Sequence, residues 1–172
     1  SLKKMRTDHF DLYQLHALGS VEKDVDVAFG KGGVMEVIEE AKKAGIIRHV
    51  GFSAHDEEAA IAAMERYDFD SALFPINFCT WYQGKFGSQT MDVAQEKGVS
   101  RLALKGMALQ HWQEGDENKD VYKKCWYEPI TDRELAGLAL RWTLSQPITA
   151  AIPPGEEKQF RWAMEIAENF DP

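Results

Sequence analysis

The chain has 172 residues, 44% of them hydrophobic, and a formal net charge of −8. That size and apolar fraction suit one soluble domain with a core of its own, and the acidic balance argues against a nucleic-acid role, because phosphate binding needs clustered Lys and Arg. No run reaches the roughly 18 apolar residues of a membrane span. Cys79 and Cys125 belong to no C-x-x-C pair, so neither a disulfide nor a zinc framework is expected and a reducing, cytoplasmic setting is.

Residues 1–6 read as the last turns of an amphipathic helix, with Leu2 and Met5 on one side and Lys3, Lys4 and Arg6 on a solvated face. With no initiator Met ahead of it, the chain is expected to begin in the middle of a fold. Residues 10–16, Phe-Asp-Leu-Tyr-Gln-Leu-His, are a short apolar run that predicts a buried strand ending on His16. The polar, Gly-containing stretch 17–33 reads as a loop. Val34, Val37, Ile38 and Ala41 recur at helical spacing up to Gly45, a C-terminal cap, and residues 46–53 give the second strand, ending on Ser53.

Asp56 caps the next helix, with Glu57 and Glu58 in its first turn and Ala60, Ile61, Met64 and Tyr67 as its buried side. Residues 71–78 predict a third strand ending near Asn77, followed by an aromatic loop over 79–87 and a helix over 88–97. A fourth strand covers 100–105, and 107–130 is a long insertion bearing Trp112, Tyr122, Trp126 and Tyr127. Thr131-Asp132-Arg133-Glu134 reads as a capping box ahead of a core stripe of Leu135, Leu138, Ala139 and Trp142. The fifth strand covers 148–152, and the last helix carries Phe160, Ala163, Met164, Ala167 and Phe170 along one face.

Five strand–helix alternations predict an α/β fold with a parallel sheet and right-handed crossovers. Short helix-to-strand turns and long strand-to-helix loops fit part of a (β/α) TIM-type barrel, whose active face is built from the latter. A self-contained five-stranded flavodoxin-like sheet is the competing architecture. On a barrel, His16, Ser53 with His55, Asn77, Lys105 and the Pro153-Pro154-Gly155 turn would gather at one mouth. His16 can donate a hydrogen bond or proton to a reacting oxygen, Ser53 and Asn77 can orient an amide, and Lys105 can meet negative charge. His9 and His16 lie about 23 Å apart along an extended strand, and no H-x-H, H-E-x-x-H or G-x-S-x-G motif occurs, so no metal site is expected.

Residues 1–16, with Thr7-Asp8, Asp11-Leu12-Tyr13 and His16, closely resemble the S-L-x-x-L-x-T-D-y-x-D-L-Y-x-x-H segment of aldo-keto reductases. Residues 43–53 resemble that family's K-x-G-k-I-R-x-x-G-x-S signature, and 141–147 with Ile152-Pro153 resemble its closing helix and strand. The resemblance covers the whole chain, 1–172, as the latter part of one barrel domain. It implies an NAD(P)H-dependent oxidoreductase that passes hydride to an aldehyde or ketone, a small-molecule carbonyl substrate. Nucleic acid and membrane are not expected partners. Of the family's catalytic Asp, Tyr, Lys and His, only the His has a counterpart here, His16. The other three belong to strands that would precede Ser1, so the isolated chain is expected to be inactive and to self-associate through open strand edges.

The resemblance further implies that Ser53 holds the nicotinamide carboxamide, with Asn77, Lys105 and Gly155 also on the cofactor side and Trp81, Tyr82 and Trp112 on the substrate side. Four positions depart from the family: Ala54 replaces the usual Asn, Leu104 the stacking Tyr, and Glu156-Glu157 the small and basic residues that meet a 2′-phosphate. The cofactor is therefore NADP or NAD, with two carboxylates arguing against an NADPH preference. The alternative functions are a non-catalytic binding or regulatory barrel of the same fold and the flavodoxin-like binding domain.

Overall fold

The computed structural model describes residues 1–84 and 86–171; Lys85, inside the predicted 79–87 loop, lies outside them. The chain divides into two compact units, one made of Ser1–Phe74 with Ser88–Arg101 and the other of Pro75–Gly87 with the chain from Leu102 onward.

The first unit opens with α1 (Leu2–Met5), a single turn closed by Arg6 in the left-handed conformation. β1 runs Phe10–Leu18, two residues beyond the predicted end. The stretch expected to be a loop instead carries a π-helical turn, Val21–Val25, capped by the Ser20 hydroxyl, and then α2 (Asp26–Phe29). Buried Val25 and Ala28 give this stretch apolar anchors that its polar composition masks.

α3 (Val34–Lys43) ends in a Schellman-type turn, with the Ile46 N–H on the Ala41 carbonyl, the Gly45 N–H on that of Lys42, and Gly45 at φ 72°. It buries Met35 and Ile38 and leaves the expected Val34 and Val37 exposed, so the apolar line is turned by one residue. β2 (Ile47–Ala54) is buried from Val50 to its end. α4 (Glu57–Arg66) is capped by Asp56, which accepts the Ala59 N–H at 2.8 Å. Its buried side is Ala59, Ala60, Ala63 and Met64; Ile61 is half-buried, and Tyr67 has already left the helix.

β3 (Ser71–Pro75) is shorter than the predicted 71–78, because Asn77 starts α5 (Phe78–Tyr82) where a loop was expected. α6 (Ser88–Glu96) returns to the first unit and leads into β4 (Ser100–Leu104). β1 and β2 pair in parallel, Phe10 opposite Ile47 through Leu15 opposite Phe52, and β2 pairs with β3 from Gly51 opposite Ser71. Gly51 is dictated by this pairing, since a Cβ there would lie 2.8 Å from the Ser71 carbonyl oxygen.

In the second unit the long insertion folds back on itself. β5 (Ala108–Gln110) pairs antiparallel with β6 (Glu128–Pro129) around a 3₁₀ turn at Glu117–Asp120. α7 (Arg133–Leu144) is capped one residue later than the predicted box, by Asp132 accepting the Leu135 N–H at 2.8 Å. β7 (Ala150–Ala151) pairs with Leu102 and Ala103 of β4, and α8 (Glu157–Glu168) ends the described chain.

The second unit's core is Met107, Ile130, Ala136, Ala139, Leu140, Ala163 and Ile166. The expected stripes hold at Ala139 and Ala163 and are otherwise corrected. α7 turns small Ala136, Gly137 and Ala139 inward with Leu140 and leaves Leu135 and Leu138 outside, while α8 buries Gln159, Ala163 and Ile166 and exposes Phe160 and Met164. Among the described residues five strands form one parallel sheet in the order β1-β2-β3-β4-β7. No described helix is long and apolar enough to cross a membrane.

Candidate functional site

The polar groups singled out in the sequence stand near strand carboxyl ends, His16 and Ser53 just short of them and Asn77 and Lys105 just beyond, and each unit holds its own share. In the first unit, β1 passes His16 in an irregular step. Leu15 faces Phe52 and Leu18 faces Ala54, so three residues of β1 are spent against two of β2. That is a β-bulge. Ala17 absorbs it at φ 55°, a left-handed conformation in which a Cβ is unfavourable. Its N–H donates to Ser53 Oγ at 2.7 Å. Ser53 is buried between Phe52 and Ala54, and because its oxygen already accepts Ala17, its own O–H remains to be donated. The His16 ring is exposed and has no hydrogen-bond partner among the described residues. His55 follows as an exposed residue whose N–H donates to the Leu18 carbonyl at 3.0 Å.

In the second unit Asn77 is 1% exposed and caps α5. Its Oδ1 accepts the Thr80 N–H at 3.0 Å, while its Nδ2 is buried with no partner among the described residues. An unpaired buried amide donor costs about 1–3 kcal/mol, and a ligand acceptor would recover it. Trp81 and Tyr82, on α5, set their rings edgewise against Trp142 of α7 at centroid distances of 5.7 and 5.9 Å; Tyr82 stays largely exposed. Trp112 donates its indole N–H to the Cys125 carbonyl at 2.9 Å, pinning the insertion.

Lys105 follows β4 with a left-handed backbone, φ 62°. Its ammonium lies 5.9 Å from the Tyr127 ring centroid, with no carboxylate paired to it among the described residues. Burial pushes the Lys105 ammonium below its ordinary pKa, and burial likewise pushes the Tyr127 phenol up. Gly155 is roofed by the insertion, since a Cβ there would stand 3.2 Å from the Lys124 carbonyl. The neighbouring Glu156 carboxylate accepts the Lys124 N–H at 2.6 Å, and Glu157 is held by Arg161 at 2.7 Å, which keeps its carboxyl below the usual range. Among the described residues no three His, Cys, Asp or Glu side chains gather as a metal ion would need.

Two features went unread in the sequence. Nothing in the residue type of Ala17 announces a left-handed bulge. Gln159 is fully buried with both ends of its amide unpartnered among the described residues; its polar character on the 159–163–166 face was the available signal.

The sequence profile of the aldo/keto reductase family matches residues 1–161. The uncharacterised oxidoreductase YqkF of Bacillus subtilis is 41% identical over 176 residues, spanning 92% of this chain and 54% of that protein. The aldo-keto reductase AKR11C1 of Bacillus halodurans, in its holo form, superposes with a TM-score of 0.58 at 21% identity, over 96% of this chain and 61% of that one. The thermostable aldo-keto reductase Tm1743, solved with the inhibitor epalrestat, gives 0.64 at 18% identity, over 99% of this chain and 59% of that one. The chain thus spans little more than half the length of these relatives. Likeness at that identity shows the fold, a (β/α) barrel of which five strand–helix units are carried here. On the profile match and the YqkF identity together, the chain belongs to the aldo/keto reductase family of oxidoreductases.

Proposed function

We propose that the complete protein carrying this chain reduces an aldehyde or ketone with a nicotinamide dinucleotide. The observation that carries the cofactor reading is the buried, unpartnered Nδ2 of Asn77, a donor already desolvated and lacking only an acceptor such as a carboxamide oxygen. Ser53 independently offers an O–H whose lone pair is already engaged, so it too meets the ligand as a donor. Lys105, with no carboxylate paired to it among the described residues, offers positive charge to a phosphate. When bound, the dinucleotide supplies the hydride. His16 donates a hydrogen bond to the carbonyl oxygen and stabilises the negative charge that grows there, a contact that strengthens toward the transition state. The proton for that oxygen comes from a Tyr that the family carries on strands equivalent to those before Ser1. The exposed ring of Tyr82 offers the substrate an apolar wall, with Trp81 and Trp112 as further substrate-side candidates.

The roofed Gly155 turn with its Glu156 carboxylate, together with Ala54 and Leu104, favours as a second reading a barrel of this family that binds without turning over.

Fluorescence titration of the complete protein with NADH and NADPH tests both. Asn77→Ser keeps an N-cap acceptor for α5 but deletes the amide donor. It is expected to weaken nucleotide binding about tenfold, the equivalent of about 1.4 kcal/mol. Unchanged affinity would show that Asn77 meets no ligand. NADH is expected to bind at least as tightly as NADPH, because Glu156 and Glu157 occupy the turn where a 2′-phosphate needs cations; a tenfold NADPH preference would refute that. Nucleotide binding without oxidation on any aldehyde or ketone would favour the second reading.

A further inference from the structure

The direction of His16 is set by its backbone, because the ring has no hydrogen bond of its own among the described residues. That backbone is a bulge whose extra residue, Ala17, sits at φ 55°. A left-handed alanine persists only where its surroundings hold it. The hold on the Ala17 N–H is the 2.7 Å hydrogen bond to Ser53 Oγ. Ser53 is in turn wedged among buried neighbours on β2, with Phe52 and Ala54 wholly inaccessible, so its hydroxyl is a fixed post. One step on, the His55 N–H bonds the Leu18 carbonyl at 3.0 Å and closes the far side of the bulge.

We propose that Ser53 is a positioning residue for His16: by accepting the Ala17 N–H it locks the bulge that aims the imidazole. This rests on the reading of His16 as the group that meets the carbonyl oxygen. It adds to Ser53 a duty separate from any contact with the cofactor, since the oxygen's lone pair serves the backbone while its proton is left for the ligand. A ring tilted by a relaxed bulge loses alignment with the reacting oxygen, and misplacement of that kind costs turnover steeply.

A double-mutant cycle on the complete protein separates the two duties. kcat is measured at saturating nucleotide and substrate, alongside nucleotide Kd, for Ser53→Ala, His16→Ala and the pair. Ser53→Ala is expected to lower kcat about tenfold or more, and to lower it less than about twofold once His16 is already alanine, because residues acting as one unit are non-additive. Ala17→Gly, which takes φ 55° without support, is expected to restore part of the kcat lost in Ser53→Ala. Ser53→Cys, with a poorer acceptor at the same volume, stands in should the alanine variant not fold. Losses that multiply in full, or a Ser53→Ala effect confined to nucleotide Kd, would overturn the proposal. A His16→Ala enzyme with wild-type kcat would instead overturn the reading of His16 on which it rests.

Discussion

Ala17 spends backbone energy next to the catalytic candidate. A non-glycine residue in the left-handed region costs about 1–2 kcal/mol, so Ala17→Gly is expected to stabilise the fold by up to about 1 kcal/mol, read as a rise in the denaturation midpoint at constant slope. A loss of stability would mean that the alanine methyl packs more than it strains. Asp70 offers a residue-scale test with pH. Burial raises its carboxyl pKa, but the Val50 N–H at 2.8 Å, His49 at 2.8 Å and Lys42 at 3.9 Å outweigh burial and leave it below its ordinary 3.8. A carboxylate depressed in the folded state adds stability that is present above the unfolded pKa and is lost as pH falls through the folded one. Wild type should therefore exceed Asp70→Asn in thermal midpoint above about pH 4, and the gap should shrink as pH drops below that. A gap independent of pH would assign the effect to hydrogen bonding alone.

At the scale of elements, the helix faces mark where sequence reading succeeded and where it could not. The strands were legible because β2 and its neighbours are apolar runs bounded by polar groups, and His16, Ser53 and Asn77 all stand within two residues of strand ends. The helices existed where expected, and Ala139 and Ala163 are buried as read, but Leu135 and Leu138 of α7 and Phe160 and Met164 of α8 face outward. Periodicity favours the largest apolar residues, whereas α7 buries a line of small ones, Ala136, Gly137 and Ala139, and leaves Leu135 41% and Leu138 56% exposed. Truncating Leu140 to Ala is accordingly expected to cost about 2–5 kcal/mol, and Leu138→Ala less than about 1 kcal/mol, in urea unfolding; equal costs would restore the sequence-based stripe. Backbone conformation was illegible where it mattered most, since Ala17 and Lys105 adopt positive φ without the glycine that normally announces it. The cap at Asn77 was hidden for a different reason. The same residue type both ends strands and starts helices, and only the Thr80 N–H decides.

At the scale of the whole molecule, β1 and β7 are the outer members of the sheet, and Leu12, Tyr13 and Ile152 are exposed along them. Unpaired parallel edges with apolar side chains template association. The 172-residue chain alone is therefore expected to scatter light as an oligomer and to bind a hydrophobic dye, while the complete protein does neither. A monodisperse chain with a cooperative thermal transition and no dye binding would instead favour a sheet that needs no further strands.

The division into two units has a consequence for synthesis. Neither unit is a continuous stretch: the first needs Ser88–Arg101 to join Ser1–Phe74. Part of that junction is visible as the Glu57 carboxylate of α4 accepting both the N–H and the hydroxyl of Thr90 on α6, at 3.2 and 3.3 Å. A nascent chain that has cleared the ribosome only to Gly87 thus holds α4 with its Thr90 partner still in the tunnel. By the order of translation each unit is interrupted by residues of the other, and the first cannot be finished before Arg101 emerges. A pause placed between codons 87 and 101 would lengthen the interval in which chaperones and proteases can reach it.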